Sequence, residues 1–525
     1  MQKIIVTKKM KKKKKSINMN NIIDDITNDE SDIENQNNLE ARDYQIEVID
    51  KLKKIYDKFD KFKLIWSCGL GKTRLSIYIV NVFKHKKILI GVPSVYLQKQ
   101  FLKEILLIFP NEKNILCIGG DKKSTTNITQ IQNHYEKNSD DPIFIITTYC
   151  SCYLIVNNFE FDFKIGDEAH HLVGIENAET KNYKLFHNIK SKKSLFMTAT
   201  EKSINNKTNK ETYSMNDVEK FGDYLDIKSV KWAIENKKIT DYNLLVLSNS
   251  ENEIDMIIKE LNIEIKHKNL FVSAFMSLKA INDYNKLTHV LVCCNKTNNS
   301  DIIKEYVDVL LDKNIFTNID KNKFYNNSLH TRKKINIYAE NNTNEITLFK
   351  NSKYGIISSV YIFGEGFDLP KLNGVVFAEN MTSDIRIVQT ALRPNRIDPN
   401  DNKKISHIMI PYMESNDVMI DNQSFNRIRM IISKLRNVDD SIEQKISIKK
   451  IINKKSKSND ENNFNNEYKY EFEDENKELS KIKLRLIYGK ALGSKNTEEQ
   501  YEYNYVQQLN KELNINSKEM YTLNK

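Results

Sequence analysis

A chain of 525 residues is long enough for two to four domains with cores of their own, which excludes a small module held together by staples. Apolar residues are 40% and charged residues 29%, a globular balance, and no run of about 18 apolar residues is present, so no membrane span or membrane partner is expected. The formal net charge is +11, but eight of those charges are lysines within residues 1–15, which leaves +3 for the rest; charge alone therefore does not identify a nucleic-acid partner.

Residues 1–36 pass from the lysine run into an acidic, Asn-rich stretch with too few large apolar residues to pack, and are expected to be a disordered tail. No apolar segment follows the lysines, so secretion is not expected. Periodic structure starts near Leu39, where Tyr44, Val48, Leu52 and Ile55 recur at helical spacing. Short apolar runs then alternate with helical stretches: KLIWS, KILIGV, IFIITT, FKIGD and SLFMTA, each a buried-strand pattern. Such alternation predicts a parallel sheet with crossover helices.

After a polar interval the pattern resumes with YNLLVLS, HVLVCCN, YGIISS, GVVFAE and HIMIPYM. The expected class is α/β, with a first sheet domain over 37–203, a linker over 204–236 and a second sheet domain over 237–415. A helical extension is expected over 416–525, with Phe425, Ile428, Ile432 and Leu435 on one helix face and a low-complexity linker over 452–480. Six cysteines in so long a chain form no disulfide framework, so an intracellular, reducing compartment is expected, compatible with a nucleus or a cytoplasmic viral factory.

Two contiguous motifs carry chemistry. CGLGKT (68–73) follows the strand KLIWS and opens a helical pattern. Gly69, Leu70 and Gly71 form a turn whose backbone N–H groups can approach a phosphate, the helix N-terminus favours its charge, Lys72 can reach the terminal phosphates, and Thr73 can hold Mg²⁺. Trp66 stands where the strict GxxxxGK[ST] pattern has its first glycine. Further on, FDFKIGDEAHH places Asp167 and Glu168 at the C-terminal end of a strand, where open α/β sheets bind ligands. One carboxylate can hold Mg²⁺ and its neighbour can take a proton from an attacking water.

With both motifs in this order, the chain resembles the superfamily 2 helicases over residues 39 to about 413. The resemblance implies two tandem RecA-like domains and use of ATP with Mg²⁺, the metal held by Thr73 and Asp167. It assigns Arg42 and Gln45 of LEARDYQ to the adenine, Ser94 of VPSVYLQKQ and Thr147 of ITTYCS to the nucleic-acid backbone, and His170, Thr198 and Thr200 to coupling hydrolysis with motion. In SSVYIFGEGFDLPKLNGVVF it assigns Gly366 and Asp368 to the nucleotide or bound strand. DIRIVQTALRPNR resembles the family's QxxGRxxR helix, so Gln389, Arg393 and Arg396 would share one helix face, both arginines serving the γ-phosphate; Leu392 replaces the usual glycine.

The RxYQ start, the glycine loop and DEAHH look most like the branch with XPB-type helicases and type III restriction subunits. That implies a monomeric helicase or translocase acting on DNA, with an RNA helicase, a protein-remodelling duplex translocase or a silent nucleic-acid-binding scaffold as alternatives. Only Cys117, Cys150 and Cys152 lie between the two motifs, too few for a four-thiolate cluster, so no transition metal is expected.

Overall fold

The computed structural model describes residues 40–119, 124–175, 181–204, 211–284, 286–330, 338–360, 369–381, 383–414, 423–436, 438–439, 442–455 and 468–474. The chain divides into two compact units, Met1–Leu64 with Gly71–Asp226, and Ile227–Lys525 together with the short segment Ile65–Leu70.

The first unit opens with α1 (Asp43–Ile55), whose Tyr44, Val48 and Leu52 are buried on one stripe. Then follow β1 (Lys61–Trp66), α2 (Lys72–Phe83), β2 (Lys87–Val92), α3 (Val95–Ile108), β3 (Ile115–Ile118), α4 (Ile128–Tyr135), β4 (Ile143–Thr148), β5 (Glu160–Asp167), β6 (Gly174–Ile175), α5 (Lys181–Asn188), β7 (Lys190–Thr198), β8 (Thr212–Tyr213), α6 (Val218–Phe221) and β9 (Asp223–Lys228), where the boundary falls, so that the next helix, α7 (Val230–Glu235), belongs to the second unit. Seven of these strands form one sheet in the order β3-β4-β2-β5-β7-β1-β9. The pairs β3–β4, β2–β4, β2–β5 and β5–β7 are parallel. Helices cover both faces of such a sheet, so KILIGV and IFIITT are buried nearly throughout. Because β7 lies between β5 and β1, the segments that follow these three strands, DEAH, TAT and the glycine loop, belong to adjacent strands.

The second unit runs β10 (Tyr242–Ser250), α8 (Glu251–Leu261), α9 (Lys268–Asp283), β11 (His289–Cys293), α10 (Thr297–Asp312), β12 (Phe324–His330), α11 (Tyr338–Asn351), β13 (Tyr354–Val360), β14 (Gly374–Phe377), α12 (Asp384–Ala391), β15 (Ser406–Glu414), α13 (Gln423–Arg436), β16 (Ile446–Lys455) and β17 (Tyr468–Asp474). Its sheet has the order β12-β13-β11-β14-β15-β10-β16-β17, parallel except for the last pair. Helix α9 is buried along almost its whole length, with Phe271 and Phe275 in the main apolar cluster.

Two expected segments differ. The span expected as a linker over 204–236 contributes β9 to the first sheet; β9 is an edge strand in which only Leu225 and Lys228 are buried, so it lacks the apolar run that marks a central strand. In the C-terminal region α13 forms and buries Ile428, Ile432 and Leu435, but β16 and β17 then extend the second sheet where a helical extension and a linker were expected.

Candidate phosphate-binding and carboxylate site

Strand β1 leads into the glycine turn, where Gly69 and Gly71 have φ of +83° and +76°. That left-handed backbone strains any residue with a Cβ, and it lets the chain curl into the start of α2. Gly71 is the N-cap, so Lys72 and Thr73 are the first two residues of a 12-residue helix, whose leading N–H groups face outward from its end.

The Gly71 carbonyl starts the helix ladder by accepting from the Leu75 N–H (3.0 Å) and also accepts from Gln45 Nε2 (3.1 Å). Gln45 is buried, and its Oε1 accepts from the Arg42 N–H at 3.0 Å. Both ends of this amide are thus engaged within the chain. Gln45 clamps the loop to α1, and one lone pair on Oε1 and one Nε2 hydrogen are left for the base edge that the resemblance assigned to it. Arg42 is exposed, with its guanidinium donating to the Tyr44 hydroxyl at 2.7 Å.

Asp167 ends β5 and is buried; its carbonyl accepts from the hydroxyl of buried Tyr149 at 2.6 Å. Glu168 has φ of +47°, a left-handed conformation that a non-glycine residue adopts at a cost of about 1–3 kcal/mol. This turn points the chain into His170, whose Nδ1 is 3.3 Å from Glu168 Oε2 and 2.9 Å from Thr198 Oγ1. Burial above all holds His170 neutral, reinforced by the positive charges of Lys202 and Lys72 and by His171. With the ring neutral, the 3.3 Å approach to Glu168 is not an ion pair.

Thr198 Oγ1 in turn accepts from the Thr200 N–H at 3.2 Å. The Thr200 hydroxyl is buried and has no hydrogen-bond partner among the described residues, as suits a site built to receive a further polar group. The glycine turn, the open helix start and this hydroxyl all fit a phosphate with its Mg²⁺. Lys72 and Thr73 would take the phosphate side, and Thr73 and Asp167 the metal.

Other expected residues fare differently. Ser94 caps α3, its Oγ accepting from the Leu97 N–H at 3.4 Å. Thr147 is 0% exposed and its hydroxyl donates to the Thr148 carbonyl at 3.1 Å, which corrects its expected contact with a nucleic-acid backbone: β4 is covered on both faces. Within those two motifs Tyr96 (48%), Lys99 and Cys150 are exposed, and Tyr153 (54%) is exposed just beyond the second; the sequence reading passed over all four.

In the second unit, α12 ends at Ala391; Arg393–Asn395 form a 3₁₀ turn and Arg396 is extended, so Gln389, Arg393 and Arg396 do not share one helix. Pro394 is the cause, since it cannot continue the ladder and disfavours α backbone at Arg393. Three donors outside the helix hold the turn instead: Ser406 Oγ to the Pro394 carbonyl (2.7 Å), the Thr240 N–H to Asn395 (2.7 Å) and Lys404 Nζ to Arg396 (2.6 Å). Gln389 and Arg393 are buried and Arg396 is half-exposed. Burial pushes the neighbouring Cys293 thiol up to about 12, with the Arg393 charge pulling the other way. Gly366 and Asp368 lie outside the described residues.

Residues 38–203 match the family described as "Type III restriction enzyme, res subunit". That match takes in the part of the chain that carries the glycine turn and the two carboxylates. The chain is 25% identical over 372 residues to a protein named as a helicase, A859L, of African swine fever virus (isolate Pig/Kenya/KEN-50/1950), covering 69% of this chain and 40% of that one. It is 32% identical over 164 residues to QP509L of the same virus (isolate Tick/South Africa/Pretoriuskop Pr4/1996), a protein named for ATP-dependent RNA helicase activity; that match covers 30% of this chain and 28% of the relative.

The chain thus spans well under half the length of these curated relatives. Among solved structures, its fold is similar to the ATP-dependent Type ISP restriction-modification enzyme LlaBIII bound to DNA, with a TM-score of 0.65 at 20% identity, covering 78% of this chain and 31% of that one. This likeness, with the two parallel sheets, identifies tandem RecA-like units.

Proposed function

We propose that this res-subunit relative is an ATP-dependent nucleic-acid translocase or helicase acting on DNA. One observation carries the reading: Gly71, Lys72 and Thr73, which open a helix, stand in the same unit as buried Asp167 and Glu168, and the strands that lead to the two segments flank β7 in one sheet. Lys72 and the first N–H groups of α2 bind the β- and γ-phosphates of ATP. Mg²⁺, when bound by Thr73 and Asp167, screens the phosphate charge. Glu168 accepts the proton of the attacking water, with His170 packed 3.3 Å from its carboxylate. The chain His170–Thr198–Thr200 passes the state of that carboxylate to the TAT turn. Arg393 and Arg396 supply positive charge as negative charge builds on the transferred phosphoryl.

The DNA preference draws on the restriction-enzyme family and on the DNA-bound neighbour; the name of QP509L supports RNA as the second reading. We place the protein in a reducing intracellular compartment as a monomer. The test is ATPase turnover with single-stranded DNA, duplex DNA and RNA side by side. DNA should stimulate most. Stronger stimulation by RNA would reassign the substrate, and no stimulation by any of the three would refute the reading.

A further inference from the structure

Lys63 lies on β1, three residues before Trp66, and is only 2% exposed. Its ammonium donates to Glu201 Oε1 at 2.7 Å and to the Met215 carbonyl at 2.6 Å, and stands 3.9 Å from the centroid of the Tyr224 ring. The Tyr224 hydroxyl donates to the other oxygen of the same carboxylate, Glu201 Oε2, at 2.6 Å. Glu201 is the residue directly after Thr200. Met215 belongs to the returning limb of the segment that leaves the TAT turn, and the two limbs are joined by Met215 N–H to the Lys202 carbonyl (3.1 Å) and Ile204 N–H to Ser214 Oγ (2.9 Å). One buried cation therefore grips both limbs where they leave the turn, and it does so from the strand that runs into the glycine loop.

A buried ammonium is tolerated only with a close partner and its donors satisfied, so Glu201 cannot swing away without leaving Lys63 uncompensated. Surface ion pairs have no such hold on their partners. The position of Glu201 in turn fixes the end of the Thr198–Thr200 turn that His170 touches. We propose that Lys63, Glu201 and Tyr224 are positioning residues that tie the TAT turn to β1, so that nucleic acid acting on the turn changes ATP turnover through this clasp. The inference rests on the proposed ATPase reading and adds residues to it. None of the three is among the residues assigned above to the phosphate or the reacting water.

The test is steady-state ATPase against ATP concentration, with and without duplex DNA, for the full chain and for Glu201→Gln, Tyr224→Phe and Glu201→Gln/Tyr224→Phe. Loosening a positioned group by about 1 Å can lower turnover by up to about 100-fold, so Glu201→Gln should lower DNA-stimulated kcat by about 10- to 100-fold while KM for ATP moves less than about twofold. Tyr224→Phe removes a single hydroxyl from a side chain that is 43% exposed; it should fold as the parent does and lower stimulated kcat in the same direction by a smaller factor. If the three groups act as a unit, the double variant falls no further than Glu201→Gln.

Stimulated kcat within about twofold of the parent in Glu201→Gln and Tyr224→Phe would overturn the clasp alone. So would a loss that sits entirely in KM. If Glu201→Gln does not fold, Tyr224→Phe decides by the same criterion. A parent whose ATPase neither DNA nor RNA stimulates would overturn the clasp and the underlying reading together; where RNA alone stimulates, the same variants are compared with RNA in place of duplex DNA.

Discussion

Replacing Lys72 and Glu168 one at a time should split nucleotide binding from hydrolysis. Glu168→Gln keeps the size of the side chain and its packing 3.3 Å from His170, and glutamine takes the left-handed backbone at the same cost as glutamate. What it loses is the proton acceptor, and a positioned general base is worth about 10²- to 10⁴-fold, or roughly 3–5 kcal/mol of barrier. Its binding of ATP should persist. At ATP near 100 times its Kd, binding stabilises the folded state by about 2.7 kcal/mol, which for a unit of roughly 200 residues raises Tm by about 5–10 °C. Lys72→Ala removes the side-chain cation at the start of α2, so it should lose most of that Tm rise along with turnover. Thermal melting with and without Mg·ATP, paired with a phosphate-release assay, reads both quantities. Near-parent turnover in Glu168→Gln would refute its role as the base, and a full Tm rise in Lys72→Ala would refute the phosphate assignment.

Arg396→Ala should lower DNA-stimulated ATPase by about 10³-fold, whereas Leu392→Gly should change it less than a few-fold; equal effects in the two would refute the separation of roles. Lys164 is buried and donates to the carbonyls of Phe186, His187 and Ile189, and burial lowers its pKa from the ordinary 10.5 to about 7. The folded chain thus binds fewer protons than the unfolded one between pH 7 and 10.5, so stability should rise with pH there at up to about 1.4 kcal/mol per unit and fall as pH drops; Lys164→Met should flatten that slope in denaturant titrations, and an unchanged slope would sink the assignment. A methyl at Gly91 would lie 2.3 Å from the Phe186 ring and 2.7 Å from Tyr149, so Gly91→Ala should destabilise by about 1–3 kcal/mol and loosen the Tyr149 bond beneath Asp167; an unshifted melting curve would count against that packing.

Central strands were legible because they are buried on both faces and read as unbroken apolar runs, and KILIGV and IFIITT fold as the pattern predicts. The same rule carried a warning that went unused: in a strand covered on both faces Thr147 has no route to solvent. Edge strands escaped for the complementary reason. In β12 the polar Asn326 and Asn327, which argue against a strand, have their side-chain amides bonded to Asp308 and Glu345. Asp167, Glu168 and the glycine turn were readable because each motif is contiguous. The Gln45 clamp, the Tyr149 bond and the Lys63 clasp join residues 26, 18 and 138 positions apart, and no local spacing encodes such a pair.

The arginine segment shows how two local signals are to be weighed. Spacings of three and four suggested one helix through Arg396, yet Pro394 stands inside that span, and a missing N–H with a fixed φ outweighs a periodicity carried by three side chains. Once the helix has ended, the segment needs other donors for its carbonyls, and Ser406, Thr240 and Lys404 provide them. Leu392 then has an explanation that its departure from the family pattern did not supply. Its φ is −90°, a backbone open to any residue, and its side chain is buried at the end of α12. A glycine here would gain no conformation the chain uses and would remove a packed side chain from the base of the turn. The geometry of Arg393 and Arg396 is therefore set by the proline and by the three outside donors, and variants of Lys404 or Ser406 should disturb it more than any change at Leu392.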